Sequence, residues 1–296
     1  MTKLIIGAID NLGWNQIKHW CNSIEKFKPE DARVVIVAMN VDTPTVHQLV
    51  QRGIEVVHVG AYSTDTHRWV YTPRLTVHVE RFAHIWEYLR RNESEFDQVV
   101  MTDVRDVVFQ ADPFEFMDRY PDKLIAGSEC MTYEDEPWGS ENLLQTFGSH
   151  IWNIYKNQTI YNVGVLGGPY HLMTDLSLMI YQMSLGRPIP IVDQAVFNFL
   201  LWQEPWNSST MFCHMEDGWA IHCGTVADPR KPEFLPKLLE DPTGIGFSKM
   251  AEYGDIVMVG TSDTDMFEIP LRRRPIFLHQ WDRNPEFKEM VERVYG

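Results

Sequence analysis

Cysteine is scarce and scattered. The 296-residue chain has four, Cys21, Cys130, Cys213 and Cys223, and no CxxC pair. That excludes a disulfide scaffold and favours reduced thiols. Positive charge is also short: Lys plus Arg number 26 against 41 Asp plus Glu, a formal net charge of −15. A nucleic-acid binder needs cations to displace phosphate counterions, so that partner class is disfavoured, although a local basic pocket is compatible with an acidic chain. No apolar run reaches the ~18 residues of a spanning helix, and Leu4–Ile9 is too short for a signal-peptide core. The expectation is a chain without an integral membrane segment, placed in the cytoplasm, whose sequons at Asn92, Asn157 and Asn207 are chance matches. GxxxxGK[ST], GxGxxG after the first strand, GxSxG and HExxH are missing too. P-loop, Rossmann-dehydrogenase, serine-hydrolase and zincin chemistry thereby lose their usual support.

Apolar residues make up 44% and charged residues 23%, enough to bury a full core. Short β-rich runs at Leu4–Ile9, Arg33–Met39 and Ile54–Val59 alternate with helical patterns. Trp14, Ile17, Cys21, Ile24 and Phe27 recur at spacings of three and four, and Val79, Phe82, Ala83, Trp86 and Leu89 share one stripe of a helix predicted over Leu75–Arg91. Pro44 opens another helix that Gly53 closes. Gln98–Thr102 reads as a strand buried on both faces. Further strands are expected at Lys123–Gly127, Tyr161–Leu166 and Ile276–His279, with helices at Tyr170–Leu185, Val192–Trp202 and Pro285–Val294. Glu204–Arg274, rich in Pro, Gly and Asp, reads as loops packed over the sheet. The pattern predicts an α/β fold: one doubly wound domain over 1–296 with a mostly parallel central sheet and an irregular C-terminal region. Ligands of such sheets bind at the carboxyl ends of the strands.

The segment Val99-Val-Met-Thr-Asp-Val-Arg-Asp-Val-Val-Phe-Gln-Ala-Asp-Pro-Phe114 sets two carboxylates, Asp103 and Asp106, at the end of a buried strand. Carboxylates there must be solvated, paired or metal-bound. A hard divalent cation would suit them, since it takes oxygen ligands and keeps positions for substrate phosphates. The alternative is that Arg105 simply salt-bridges the two acids. Strand side chains alternate faces, so Asp103 and Asp106 converge only if the chain turns between them.

With its apolar strand, acidic cluster and Asp-Pro-Phe, this segment resembles the metal-binding stretch of GT-A glycosyltransferases, glycogenin-like and galactosyltransferase-like, that use nucleotide sugars. Those carry Asp-x-Asp; here Asp103-Val-Arg-Asp106 is one residue longer, a DxxD variant. Ala8-Ile-Asp10-Asn11 resembles the family's uridine-binding loop, with an Asx turn as the alternative. Tyr161-Asn162-Val-Gly164 resembles its Asn-x-Gly strand, where small residues let a sugar approach and Asn162 meets a hydroxyl. Ile191-Val-Asp193-Gln194 resembles its Asp-Gln helix start. The resemblance implies that Asp193 binds donor hydroxyls or acts as general base and that Gln194 lies beside the anomeric carbon; Asp193 is equally a good helix N-cap. His279 and Arg283 match a late metal-binding histidine and a diphosphate-holding cation. Arg105, Arg81 and Arg272–Arg274 are further diphosphate candidates, and His222 an acceptor-side one. Cys213-His214 with His222-Cys223 offers zinc as an alternative, though neighbours on a strand face opposite ways, so each pair contributes one ligand.

What the resemblance implies is a transferase that takes a nucleotide sugar, most simply a UDP-sugar, and a glycan or other hydroxyl acceptor. Mn2+ or Mg2+ would be held by Asp103, Asp106 and His279, with residues 1–128 binding the nucleotide and 129–296 the acceptor. A carbohydrate-binding or scaffold protein without turnover, and a sugar-nucleotide pyrophosphorylase, are the alternatives. The pyrophosphorylase lacks its Gly-rich basic loop, because Asp10-Asn-Leu-Gly-Trp14 stands there.

Overall fold

The computed structural model describes residues 2–239, 248–261 and 273–296. The chain begins β1 (Lys3–Asp10), α1 (Trp14–Phe27), β2 (Ala32–Met39), α2 (Thr43–Gln51) and β3 (Glu55–His58). Pro44 lies in the first turn of α2, Asp42 caps it by accepting from the Thr45 N–H, and Gly53 at φ +70 follows its end. The hairpin β4 (Ala61–Ser63) and β5 (Arg68–Val70) leads into α3 (Val77–Arg91) and β6 (Gln98–Thr102). Next come β7 (Val107–Phe109), α4 (Pro113–Met117), β8 (Leu124–Thr132), α5 (Pro137–Tyr155), β9 (Thr159–Pro169), α6 (Tyr170–Ser184) and α7 (Asp193–Leu201). The chain closes with α8 (Trp206–Ser209), β10 (Thr210–Cys213), β11 (Ala220–His222), α9 (Cys223–Val226), the β12 (Ser248–Tyr253)–β13 (Ile256–Thr261) hairpin, β14 (Phe277–His279) and α10 (Pro285–Tyr295).

Seven strands form the central sheet in the order β10-β8-β9-β6-β1-β2-β3. All neighbours are parallel except β9, which runs antiparallel to both β6 and β8. Alternation along β1 divides the core. Ile5 and Ile9 face α1 and α2, with Ile17, Trp20, Ile24 and Leu49. Leu4 and Ile6 face the other layer, with Val79, Phe82 and Ile85 of α3, Leu176 and Ile180 of α6, and Val196 and Phe197 of α7. The expected doubly wound α/β sheet is present.

A second sheet of three strands, β11-β14-β7, stands beside it and bears on the site. Its strands are parallel between β11 and β14 and antiparallel between β14 and β7, and its register pairs His222 with His279 and His279 with Val107.

Three expectations need correction. Glu204–Arg274 is not loop throughout: β10 forms an edge of the central sheet, β11 joins the second sheet, and β12–β13 is a hairpin. Runs of three to six residues show no alternation of their own, and pairing with distant strands makes them β. Helix α5 was not foreseen; Gly148, at φ +83, interrupts it and breaks the helical stripe. Asp193 does not cap α7. Val192 holds the cap position without a side-chain bond, and Asp193 lies in the first turn, where Arg81 engages it. Among the described residues, no helix is long and apolar enough to cross a membrane.

Candidate active site

A cavity of about 670 Å³ opens at the carboxyl ends of β1 and β6, where strand order reverses around β1. Of the residues singled out in the sequence, Ala8, Asp10, Arg81, Asp103, Arg105, Asp106, Asn162, Gly164, Asp193, Gln194, His279 and Arg283 line it. Asn11 and His222 do not. Asn11, at φ 54, has its side-chain oxygen accepting from Arg68 of the β5 strand, while Asp10 accepts from the Asn40 side chain at 2.8 Å.

The acidic segment turns as its spacing required. β6 ends at Thr102, whose hydroxyl accepts a bond from the Trp20 indole at 2.8 Å, and β7 starts at Val107, so residues 103–106 belong to no strand. The Asp103 N–H donates to the Gly164 carbonyl at 2.7 Å, and the Gln280 N–H donates to the Asp106 carbonyl at 2.7 Å. Asp103, Asp106 and His279 thereby meet, with one ligand atom from each within 4.8 Å of the others. His279 Nε2 lies 3.6 Å from Asp103 Oδ2 and 3.8 Å from Asp106 Oδ1. Two ligands at ~2.1 Å from one ion can stand up to roughly 4.2 Å apart, so both spacings suit a shared cation. A Cβ on Gly164 would come within 2.7 Å of both Asp103 Oδ2 and His279 Cε1, so only glycine leaves room there. Two carboxylate oxygens and one imidazole nitrogen are a donor set for Mn2+ or Mg2+. Burial pushes the His279 pKa down, partly offset by Asp106 and Glu129, which keeps the ring neutral and able to ligate at pH 7.

Around this triad the charges are sorted. Arg81, buried, is held between Asp103 Oδ1 and Asp193 Oδ2, the latter at 3.1 Å. Its guanidinium is thus engaged with two carboxylates and orients one oxygen of Asp103. Arg105, exposed, and Arg283, half-buried, flank Asp282 at 3.6 and 3.7 Å on the rim. Of the basic run near the C-terminus, Arg272 lies outside the described residues; Arg273 and Arg274 do not line the cavity.

Among the lining residues that the sequence did not single out, Glu129 and Trp138 bear most on the chemistry. Glu129 is a buried carboxylate held by neutral donors: Asn162 at 2.6 Å, Gln194 at 3.1 Å and the Thr225 hydroxyl at 3.1 Å. These partners are remote in sequence, and nothing near Glu129 signals them. Trp138, 51% exposed, is the one exposed large apolar side chain of those described that also lines the cavity. One turn further along α5, Asn142 donates to the Ile191 carbonyl at 2.5 Å, which sets Trp138 beside the start of α7.

The zinc alternative finds no shared centre. His214 pairs with Glu216 and His222 with His279, and all four cysteines are free and buried. Among the described residues, the one cluster with metal-ligand spacing is Asp103, Asp106 and His279.

No family model and no curated protein matches this sequence. Among solved structures, the chain is similar to the apo structure of WbbM, a bifunctional glycosyltransferase, with a TM-score of 0.61 and 14% identity. The likeness covers 99% of this chain and 49% of that one, so this chain spans about half its length. At that identity the two share a fold, and the fold of this chain is α/β and GT-A-like, with a mostly parallel seven-stranded sheet at its centre.

Proposed function

We propose that the chain is a divalent-metal-dependent glycosyltransferase that moves a sugar from a nucleotide-sugar donor, most simply a UDP-sugar, to an acceptor hydroxyl. The observation that carries this is the convergence of Asp103, Asp106 and His279 inside the cavity, with Arg105 and Arg283 on its rim. Asp103 Oδ2, Asp106 Oδ1 and His279 Nε2 would hold Mn2+ or Mg2+. When bound, the ion supplies Lewis-acid neutralisation of the departing nucleoside diphosphate. Arg283 and Arg105 meet the same negative charge with forked donors. Asp10 and Ala8, at the end of β1, face the base and ribose.

The sugar lies over Asn162, Gly164 and Gln194. Asp193, its charge shared with Arg81, accepts from sugar hydroxyls. Glu129, held by the neutral donors Asn162, Gln194 and Thr225, faces the positive charge that develops on the sugar as the donor bond breaks. Trp138 offers an apolar plane to the acceptor. The whole chain is read as one domain, with 1–128 serving the nucleotide and 129–296 the acceptor. In support, strands from both halves share the central sheet, and the cavity is lined from both.

The test is a thermal-shift screen of UDP, GDP, CMP and their sugars with Mn2+ or with EDTA. A ligand that binds only the folded chain raises the melting point by mass action. The expected result is a shift with one nucleotide that disappears in EDTA and in Asp106→Ala. No shift with any nucleotide in the presence of Mn2+ would reject a donor site and leave a carbohydrate-binding or scaffold protein.

A further inference from the structure

We infer that His222 is a positioning residue for the metal-holding imidazole: by accepting the Nδ1 proton of His279, it leaves the His279 Nε2 lone pair facing the two aspartates. The inference rests on the metal-dependent reading above.

The observation is a pair of imidazoles below the cavity. Parallel pairing of β11 with β14 puts His222 in register with His279, and both rings are almost wholly buried. Their Nδ1 atoms stand 2.9 Å apart, with the ring planes nearly perpendicular. Two nitrogens at that distance share one proton, so one ring donates and the other accepts. If His279 donates, its Nε2 is bare and can ligate. If His222 donates, the His279 proton sits on Nε2, at 3.6 and 3.8 Å from carboxylate oxygens, outside hydrogen-bond reach, and no lone pair is left for an ion.

Ligation selects between these two arrangements. The nitrogen of His279 that faces the two aspartates is Nε2, so a ring that holds an ion there carries its proton on Nδ1, and His222 Nδ1 stands at 2.9 Å to accept it. Glycine at 127 gives the His222 ring its room, since a Cβ there would come within 2.8 Å of Nε2. His222 thereby performs the task of the outer partners of metal-bound histidines, which fix the ring's orientation and tautomer.

The experiment uses the full chain and Mn2+ alone, without donor or acceptor. Free Mn2+ is read by electron paramagnetic resonance against wild type, His222→Leu and His222→Asn, with thermal unfolding confirming the fold of each. His222→Leu should weaken Mn2+ affinity roughly 10- to 100-fold. His222→Asn, whose side-chain oxygen can take the place of Nδ1 as acceptor, should recover most of that loss. Independently of any variant folding, nitrogen NMR of the metal-free wild type, with His279→Gln for assignment, should show His279 protonated at Nδ1. Wild-type affinity in His222→Leu, no recovery in a folded His222→Asn, or a His279 proton on Nε2 would each overturn the inference. Wild type that takes up no Mn2+ while His279 is protonated at Nδ1 would instead overturn the metal-dependent reading and leave the tautomer assignment standing.

Discussion

A single methyl group on Gly164 would press on two proposed metal ligands at once. Gly164→Ala should therefore lower Mn2+ affinity by tenfold or more, at a folding cost of about 1–3 kcal/mol; titration of Mn2+ beside urea unfolding checks both. The sequence pointed to Gly164 for a different reason, close approach of a sugar. The spacing made its smallness visible, but only the turn at 103–106 reveals what it accommodates. Glu129 was invisible for a related reason. Its three donors come from β9, α7 and α9, and Cys130 beside it takes a positive φ of 57, which breaks the strand pattern. Glu129→Gln conserves shape and removes charge. Nucleotide-dependent melting shifts should persist while sugar transfer falls on the order of 10²-fold; equal loss of both would assign Glu129 to nucleotide binding instead.

Helix α7 is fastened to β9 by one side chain. Buried Asn198 accepts from the Tyr161 N–H at 2.8 Å and donates to the Tyr161 and Gln194 carbonyls at 2.7 and 2.8 Å. Its loss leaves buried backbone groups without partners, so Asn198→Ala should cost roughly 2–4 kcal/mol in urea unfolding with an unchanged m-value. Because Asp193 and Gln194 open the same helix, activity should fall further than stability alone explains. At this scale the sequence was legible where elements are long. The stripes of α1 and α3 and the apolar runs of β1, β2 and β6 carry enough residues for periodicity to speak. β7, β11 and β14, with three residues each, carry none, although β14 brings His279 to the two aspartates. The DxxD spacing, by contrast, yielded its turn in advance, because strand alternation allows no other way for Asp103 and Asp106 to converge.

For the whole molecule, buried histidines set the response to acid. Burial lowers the pKa of His19, His58, His78, His84, His222 and His279 below the ordinary 6.5, most strongly at His222, where the His279 charge adds to it. Below pH 6.5 the unfolded chain therefore binds more protons than the folded one, and stability declines until the depressed values are reached. His214, raised to about 10 by its Cys130 and Glu216 partners against burial, gains its stabilisation between pH 10 and 6.5 and adds no further slope below. Glu136 and Asp112, raised by burial, oppose the decline. The melting temperature in EDTA should fall from pH 7 to pH 5; a flat or rising profile would show that the histidines are not neutral in the fold.

The sheet of β11, β14 and β7 also imposes a timetable. It draws on three widely separated stretches of chain, and the last of them, β14, follows every strand of the central sheet in sequence. The seven strands of the central sheet lie wholly before Phe277, so that sheet has all its residues while the two aspartates still lack their imidazole. Contacts of such long range form late, because loop closure precedes any gain from them. If the proposed metal site is real, cation uptake in a refolding experiment reports the docking of β14, and a chain cut before Phe277 would keep the central-sheet residues without the third proposed ligand.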